Sequence, residues 1–185
     1  MITRRNFLKA GAAVAALSVV PNGFASILAK KEKAIGVQLY SVRDDLKTDF
    51  DGTMKALVDI GYKRMEAAGY RDGKFYGKSP AEMKKYLADL GARMVGSHTG
   101  SGLLAEGDTK GWDFWKKNAA DTAEVGCKWI VQAGYPSKDI KSLSDVKRLA
   151  DQFNKCGEIA KANGLRFAFP VSYTHLRAHE TCADL

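Results

Sequence analysis

Five side chains stand where a βα-type chain gathers its chemistry. They are Gln38 and Tyr40, Glu66, His98 and Gln132, each at or near the end of a short apolar run. In parallel α/β architectures the strand ends carry the site. A carboxylate, an imidazole and two amides converging there can hydrogen-bond a polyol and move a proton. Plainer roles compete with this one. A glutamate at a strand end often caps a helix or pairs with a cation. A lone histidine is commonly structural, but His98 is followed by Thr99-Gly100-Ser101-Gly102, which reads as a flexible glycine loop at a functional mouth. Trp112 and Trp115 read as helix core rather than sugar-stacking platforms.

The elements that must position these residues repeat one unit. A short apolar run leads into polar residues and then an amphipathic helix that stops at a glycine. The runs are residues 35–40, 63–68, 92–97, 128–132 and 165–169. The helices between them cover about residues 49–60, 80–90, 112–125 and 144–162, with Gly61, Gly91, Gly126 and Gly164 as stops. Ser79, Pro80 and Glu82 form a capping-box signature at the second helix. A unit of about 30–40 residues is a βα element, and alternating β and α predicts a parallel sheet with right-handed crossovers. An open doubly wound sheet and a TIM barrel both meet that description. A barrel usually needs about 250 residues, so length alone favours the open sheet. No glycine-rich phosphate loop follows the first run, which leaves a nucleotide-binding reading with little support.

The 185 residues are 45% hydrophobic and 27% charged, the balance of a soluble globular protein. The formal net charge is +8, yet no basic run exceeds two residues and the lysines recur beside acids at helical spacing. That is a solvated surface, not a phosphate-binding stripe, and it argues against a nucleic-acid partner. Cys127, Cys156 and Cys182 show no metal-site or disulfide spacing, and the first two sit in apolar settings.

The N-terminus reads as an export signal over residues 1–29. Arg4-Arg5-Asn6-Phe7-Leu8-Lys9 is a positive region, residues 10–20 are apolar, and small residues follow Pro21. The paired arginines resemble a twin-arginine signal, which implies the twin-arginine export machinery and a periplasmic or otherwise exported location. The apolar stretch is too short for a stable membrane span.

Two segments carry a family resemblance. Gly36-Val37-Gln38-Leu39-Tyr40-Ser41-Val42-Arg43-Asp44 looks like the opening strand of the sugar phosphate isomerase/epimerase family, and Gly61-Tyr62-Lys63-Arg64-Met65-Glu66-Ala67-Ala68-Gly69-Tyr70 resembles its second-strand motif. Ser97-His98-Thr99 and Ile130-Val131-Gln132 resemble its third and fourth strands, and the match spans about residues 34–169. The resemblance implies the N-terminal portion, about five strands, of a xylose isomerase-like (β/α)8 TIM barrel over residues 30–169. It implies a metal-dependent enzyme that moves a proton next to a sugar carbonyl. The divalent metal would be Mn²⁺, Mg²⁺, Co²⁺ or Zn²⁺, and its ligands would come mostly from later strands. By the same resemblance Glu66 and His98 are catalytic, with Gln38, Tyr40 and Gln132 binding a small carbohydrate. A non-catalytic carbohydrate-binding barrel and an inosose dehydratase-like lyase are the alternatives.

Past Phe169 the family pattern stops. Val171-Ser172-Tyr173-Thr174-His175-Leu176-Arg177-Ala178-His179-Glu180-Thr181 looks like one reading frame of a transposase sequencing adapter. Residues 170–185 are therefore expected to be a non-native tail. His175, His179, Glu180 and Cys182 then imitate a zinc site by accident. On this reading the chain is an incomplete barrel, expected to be inactive by itself.

Overall fold

The computed structural model describes residues 35–169. The export signal and the adapter-like tail lie outside the described residues. Five strands make one parallel sheet: β1 (Gly36–Gln38), β2 (Arg64–Ala67), β5 (Arg93–Thr99), β6 (Trp129–Gln132) and β7 (Arg166–Ala168). A separate two-stranded hairpin, β3 (Tyr70–Arg71) and β4 (Lys74–Phe75), leaves the sheet after β2.

The strand order decides between the two architectures. It runs β1-β2-β5-β6-β7, and every neighbouring pair is parallel. A doubly wound sheet reverses its order at a switch point. This sheet never reverses. Right-handed crossovers repeated in one direction place all the helices on one face, as in a barrel.

The helices are α1 (Arg43–Thr48), α2 (Phe50–Ile60), α3 (Pro80–Asp89), α4 (Thr109–Glu124) and α5 (Leu143–Ala162). Their apolar stripes bury Met54, Leu57, Met83, Leu87, Trp115, Ala119, Leu149 and Cys156 against one side of the sheet. Met65, Met94 and Ile130 meet them from the strands. All four described methionines are fully buried, which suits an irregular layer between curved sheet and helices.

Sequence signals account for most boundaries. Asp49 caps α2 by accepting from the Gly52 N–H, and Gly61 ends that helix at φ 113°, a conformation that disfavours side chains. The capping box of α3 is complete: Glu82 N–H donates to Ser79 Oγ, and Ser79 N–H donates to Glu82 Oε2. Replacing Ser79 by Ala should cost about 1 kcal/mol of stability, read as a lower urea midpoint.

Two elements escape the sequence pattern. A 3-10 turn (Leu39–Val42) and α1 replace the expected end of the first strand, so β1 stops at Gln38. Six residues with one buried side chain, Leu46, are too short to show a helical period. The β3–β4 hairpin turns at Asp72-Gly73, both at positive φ. That dipeptide is the strongest local hairpin signal, but only two residues flank it on each side.

Cys127 and Cys156 are buried, as their apolar settings suggested. Desolvation pushes both thiols up to about 12, helped at Cys127 by the Glu66 charge and opposed at Cys156 by Lys155. Both should resist iodoacetamide at mildly alkaline pH in the native protein and react after denaturation, as peptide mass mapping would show. Unfolded thiols ionise near their ordinary value of 9.0 while the folded ones stay neutral. Folding stability should therefore decline as pH rises past that value.

Candidate active site

The register of the first three strands builds the site. Gln38 pairs with Glu66 across β1 and β2. Between β2 and β5 the register slips: Met65 pairs with Met94, but Glu66 pairs with Gly96. Val95 is the extra residue of a β-bulge. Without it, alternation would send His98 to the helix-covered face; with it, His98 joins Gln38 and Glu66 on the opposite face.

There the three side chains meet. Gln38 Nε2 donates to Glu66 Oε1 at 2.5 Å and lies 3.2 Å from His98 Nδ1. One amide thus joins a carboxylate and an imidazole from three strands. Glu66 makes no ion pair among the described residues, which removes the commonest structural explanation for it. Gly96 gives the carboxylate room, since a Cβ there would stand 3.3 Å from Glu66 Oε2.

His98 borders a cleft of about 640 Å³, walled by Tyr70, Arg71 and Asp72 of the hairpin and by Asp113 and Lys117 of α4. The hairpin is anchored to the helix there. Tyr70 Oη donates to Asp121 Oδ2 at 2.7 Å, and Lys117 Nζ donates to both Asp121 oxygens at 3.0 and 2.8 Å. Burial, together with the Asp121 carboxylate, pushes the Tyr70 phenol well above its ordinary range, so it stays a donor. The sequence offered no signal for Lys117 or Asp113, which sit on a helix far along the chain.

Tyr40 stands apart from the cluster. It lies in the turn after β1, exposed, with the Arg43 guanidinium 4.6 Å from its ring centre. It borders a second cleft of about 430 Å³ with Leu39, Ala68 and Tyr76.

Gln132 is not on the face that carries Gln38, Glu66 and His98. It pairs with Thr99 while Val131 pairs with His98, so alternation points Gln132 toward the helices. It is 2% exposed. Its Nε2 donates to the carbonyls of Ser101 and Gly134, and its Oε1 has no hydrogen-bond partner among the described residues. Gln132 thus ties the loops after β5 and β6 together, and it borders a further cleft of about 430 Å³ with Gly100, Tyr135 and Asp139.

The glycine loop after His98 is tied down rather than loose. Trp115 Nε1 donates to Ser101 Oγ, Gln152 Nε2 donates to the Gly102 carbonyl, and Gln152 Oε1 accepts from the Leu104 N–H. Asp139 Oδ2 accepts from the Leu103 N–H. Trp115 is core, as expected, and Trp112 is partly buried beneath the Lys155 ammonium at 4.0 Å.

Among the described residues, no three His, Cys, Asp or Glu side chains gather as metal ligands. Glu66 and His98 offer two donors, and the Gln38 amide already engages both. A divalent ion needs four or more ligands, so these residues do not fit one by themselves.

A family model described as a xylose isomerase-like TIM barrel matches residues 54–170. The chain belongs to that family. A twin-arginine translocation signal matches residues 1–21, which indicates export across a membrane. No described helix is long and apolar enough to cross a membrane. Two crystal structures of sugar phosphate isomerase/epimerases from Parabacteroides distasonis resemble the chain. One is 32% identical with a TM-score of 0.67, covering 77% of this chain and 52% of that one. The other is 28% identical with a TM-score of 0.62, covering 74% and 54%. A D-psicose 3-epimerase crystallised with D-fructose is 18% identical, with a TM-score of 0.51 over 64% of this chain and 45% of that one, and shares the fold. The chain spans about half the length of the solved relatives it matches. A search of the curated proteins finds no match.

Proposed function

We propose that this xylose isomerase-like chain is the N-terminal part of an exported sugar isomerase or epimerase acting in the periplasm. The joining of Glu66 and His98 through Gln38 supports the reading most directly. Such an enzyme must take a proton from a carbon next to a carbonyl and steady the oxygen as charge builds there. Among the described residues Glu66 has a carboxylate without a cationic partner and lines a small cleft of about 210 Å³ with Gln38, while His98, joined to it through Gln38, borders the larger cleft. Gln38 holds the two groups at one spacing, which a two-point contact with a sugar requires. On this reading the divalent metal would be held mostly by later strands of the full-length barrel. The reading also takes residues 1–29 as the export signal, 30–169 as the partial barrel and 170–185 as a non-native tail.

The test uses the protein encoded by the uninterrupted reading frame. It is incubated in D2O with a divalent metal and a panel of ketoses and aldoses. Deuterium should enter the carbon beside the carbonyl while the sugar keeps its composition. Loss of water from the product would make the protein a lyase, and saturable sugar binding without exchange would make it a carbohydrate-binding barrel. Either result overturns the proposal.

A further inference from the structure

The Gln38 contacts fix the hydrogen on His98 as well as the ring's position. A side-chain amide nitrogen carries two hydrogens and accepts nothing. An ionised carboxylate does the reverse. The amide NH2 must therefore face Glu66, because the amide turned over would press its carbonyl oxygen against a carboxylate oxygen. The same nitrogen lies 3.2 Å from His98 Nδ1. That ring nitrogen then faces a donor and can only accept. In a neutral imidazole the hydrogen then sits on the other nitrogen, since the bond made at one ring nitrogen sets the state of the other.

We infer that Gln38 is a positioning residue that holds His98 as the Nε2–H tautomer, so that His98 acts as a hydrogen-bond donor and Glu66 alone is the base. The division of roles rests on the proposed proton transfer; the tautomer rests on geometry only. In the step itself, Glu66 removes the hydrogen bound to carbon as a proton. The C–H electron pair becomes the carbon–carbon π bond of an enediolate. The carbonyl π pair moves onto oxygen, which accepts the hydrogen bond from His98 Nε2–H. Return of the proton from the Glu66 carboxyl to the old carbonyl carbon, with the hydroxyl proton of the neighbouring carbon passing to the alkoxide oxygen, forms the new carbonyl and completes an isomerisation with no oxidant or reductant. Exchange of the Glu66 proton with solvent before its return brings in deuterium.

Three neighbours support this arrangement. Gly96 leaves the space in which the Glu66 carboxylate reaches Gln38. The bulge at Val95 sets the strand parity that turns His98 toward them. Thr99, the next residue, is held from behind by Asn118 Nδ2 at 2.8 Å, so the strand end has little freedom to turn the ring away.

The test is magic-angle-spinning NMR on the full chain with its histidines labelled with nitrogen-15, at a pH where the rings are neutral. The method reads ring nitrogens whatever the size of the particle. His98 is assigned by the signals lost in His98→Asn. It should show a pyridine-type Nδ1 and a pyrrole-type Nε2. Gln38→Leu should release the ring into a mixture of tautomers. Gln38→Glu, which keeps the side chain's size and places an acceptor there, should move the hydrogen to Nδ1. A wild-type ring protonated on Nδ1, or a signature unchanged in both variants, overturns the inference. Absence of deuterium exchange with the tautomer signature intact would instead count against the proposed function and leave the positioning role standing.

Discussion

On the proposed function, replacing Glu66 by glutamine should lower solvent-deuterium exchange into the sugar by about 10²–10⁴-fold in the full-length protein, the usual contribution of one positioned acid–base group. Glutamine keeps the shape of the side chain and one acceptor oxygen for the Gln38 amide, and removes the charge and with it the ability to take a proton. The fold has little stake in that charge, because Glu66 makes no ion pair among the described residues and a glutamine oxygen can still accept from Gln38. The variant should therefore unfold at nearly the parent's urea midpoint while the exchange rate collapses. The loss should appear in kcat more than in KM, because the carboxylate's work is done in the transition state. Exchange within about tenfold of the parent would mean that another group is the base. Glu66→Asp tests the geometry separately. It keeps the charge but withdraws the carboxylate by one methylene from Gln38, which now meets it at hydrogen-bond distance. An intermediate rate is the expected result.

The sequence revealed the architecture because its signals were local and redundant. Apolar runs, capping residues and helix-ending glycines recur in each unit, and the helix beginning at Pro80 matched its box residue for residue. Distinguishing a barrel from an open sheet on residues alone was beyond those signals, since both use the same βα unit. Strand order resolves the two, and order is a long-range property. The site was half legible for a related reason. A residue's place at a strand end can be read from the sequence, but its face depends on parity. In β6, Ile130 and Val131 are both buried and apolar, so nothing shows which side Gln132 takes. In β5 the bulge resets the parity, and its one sequence signal is the isolated Gly96 inside the strand, a residue that marks bulges and close approaches. The bulge puts His98 on the face of Gln38 and Glu66, whereas the unbroken alternation of β6 puts Gln132 on the other.

The rigidity behind His98 depends on a polar seam in the core. In α4, Trp115, Asn118, Ala119 and Thr122 share one buried face, and Asn118 is wholly enclosed. Its Nδ2 donates to Thr99 Oγ1 at 2.8 Å, and its Oδ1 accepts from Thr122 Oγ1 at 3.0 Å. Asn118→Ala removes both bonds and leaves a void in a fully buried site. A lost buried partner costs about 1–3 kcal/mol and the void adds to it, so a total near 2–4 kcal/mol is expected. Urea unfolding followed by tryptophan fluorescence would show it as a clear fall in midpoint, because that loss is a large fraction of an ordinary domain's stability. Asn118→Leu separates the two contributions: it fills the space yet strands Thr99 and Thr122, and should recover only the packing share. A change in either variant within about 0.5 kcal/mol, the scale of ordinary surface substitutions, would show that the seam carries no such load. The functional consequence follows from one peptide bond. Thr99 is the residue after His98, so a strand end released from Asn118 should broaden the His98 ring signals in nitrogen-15 spectra of a protein that is still folded.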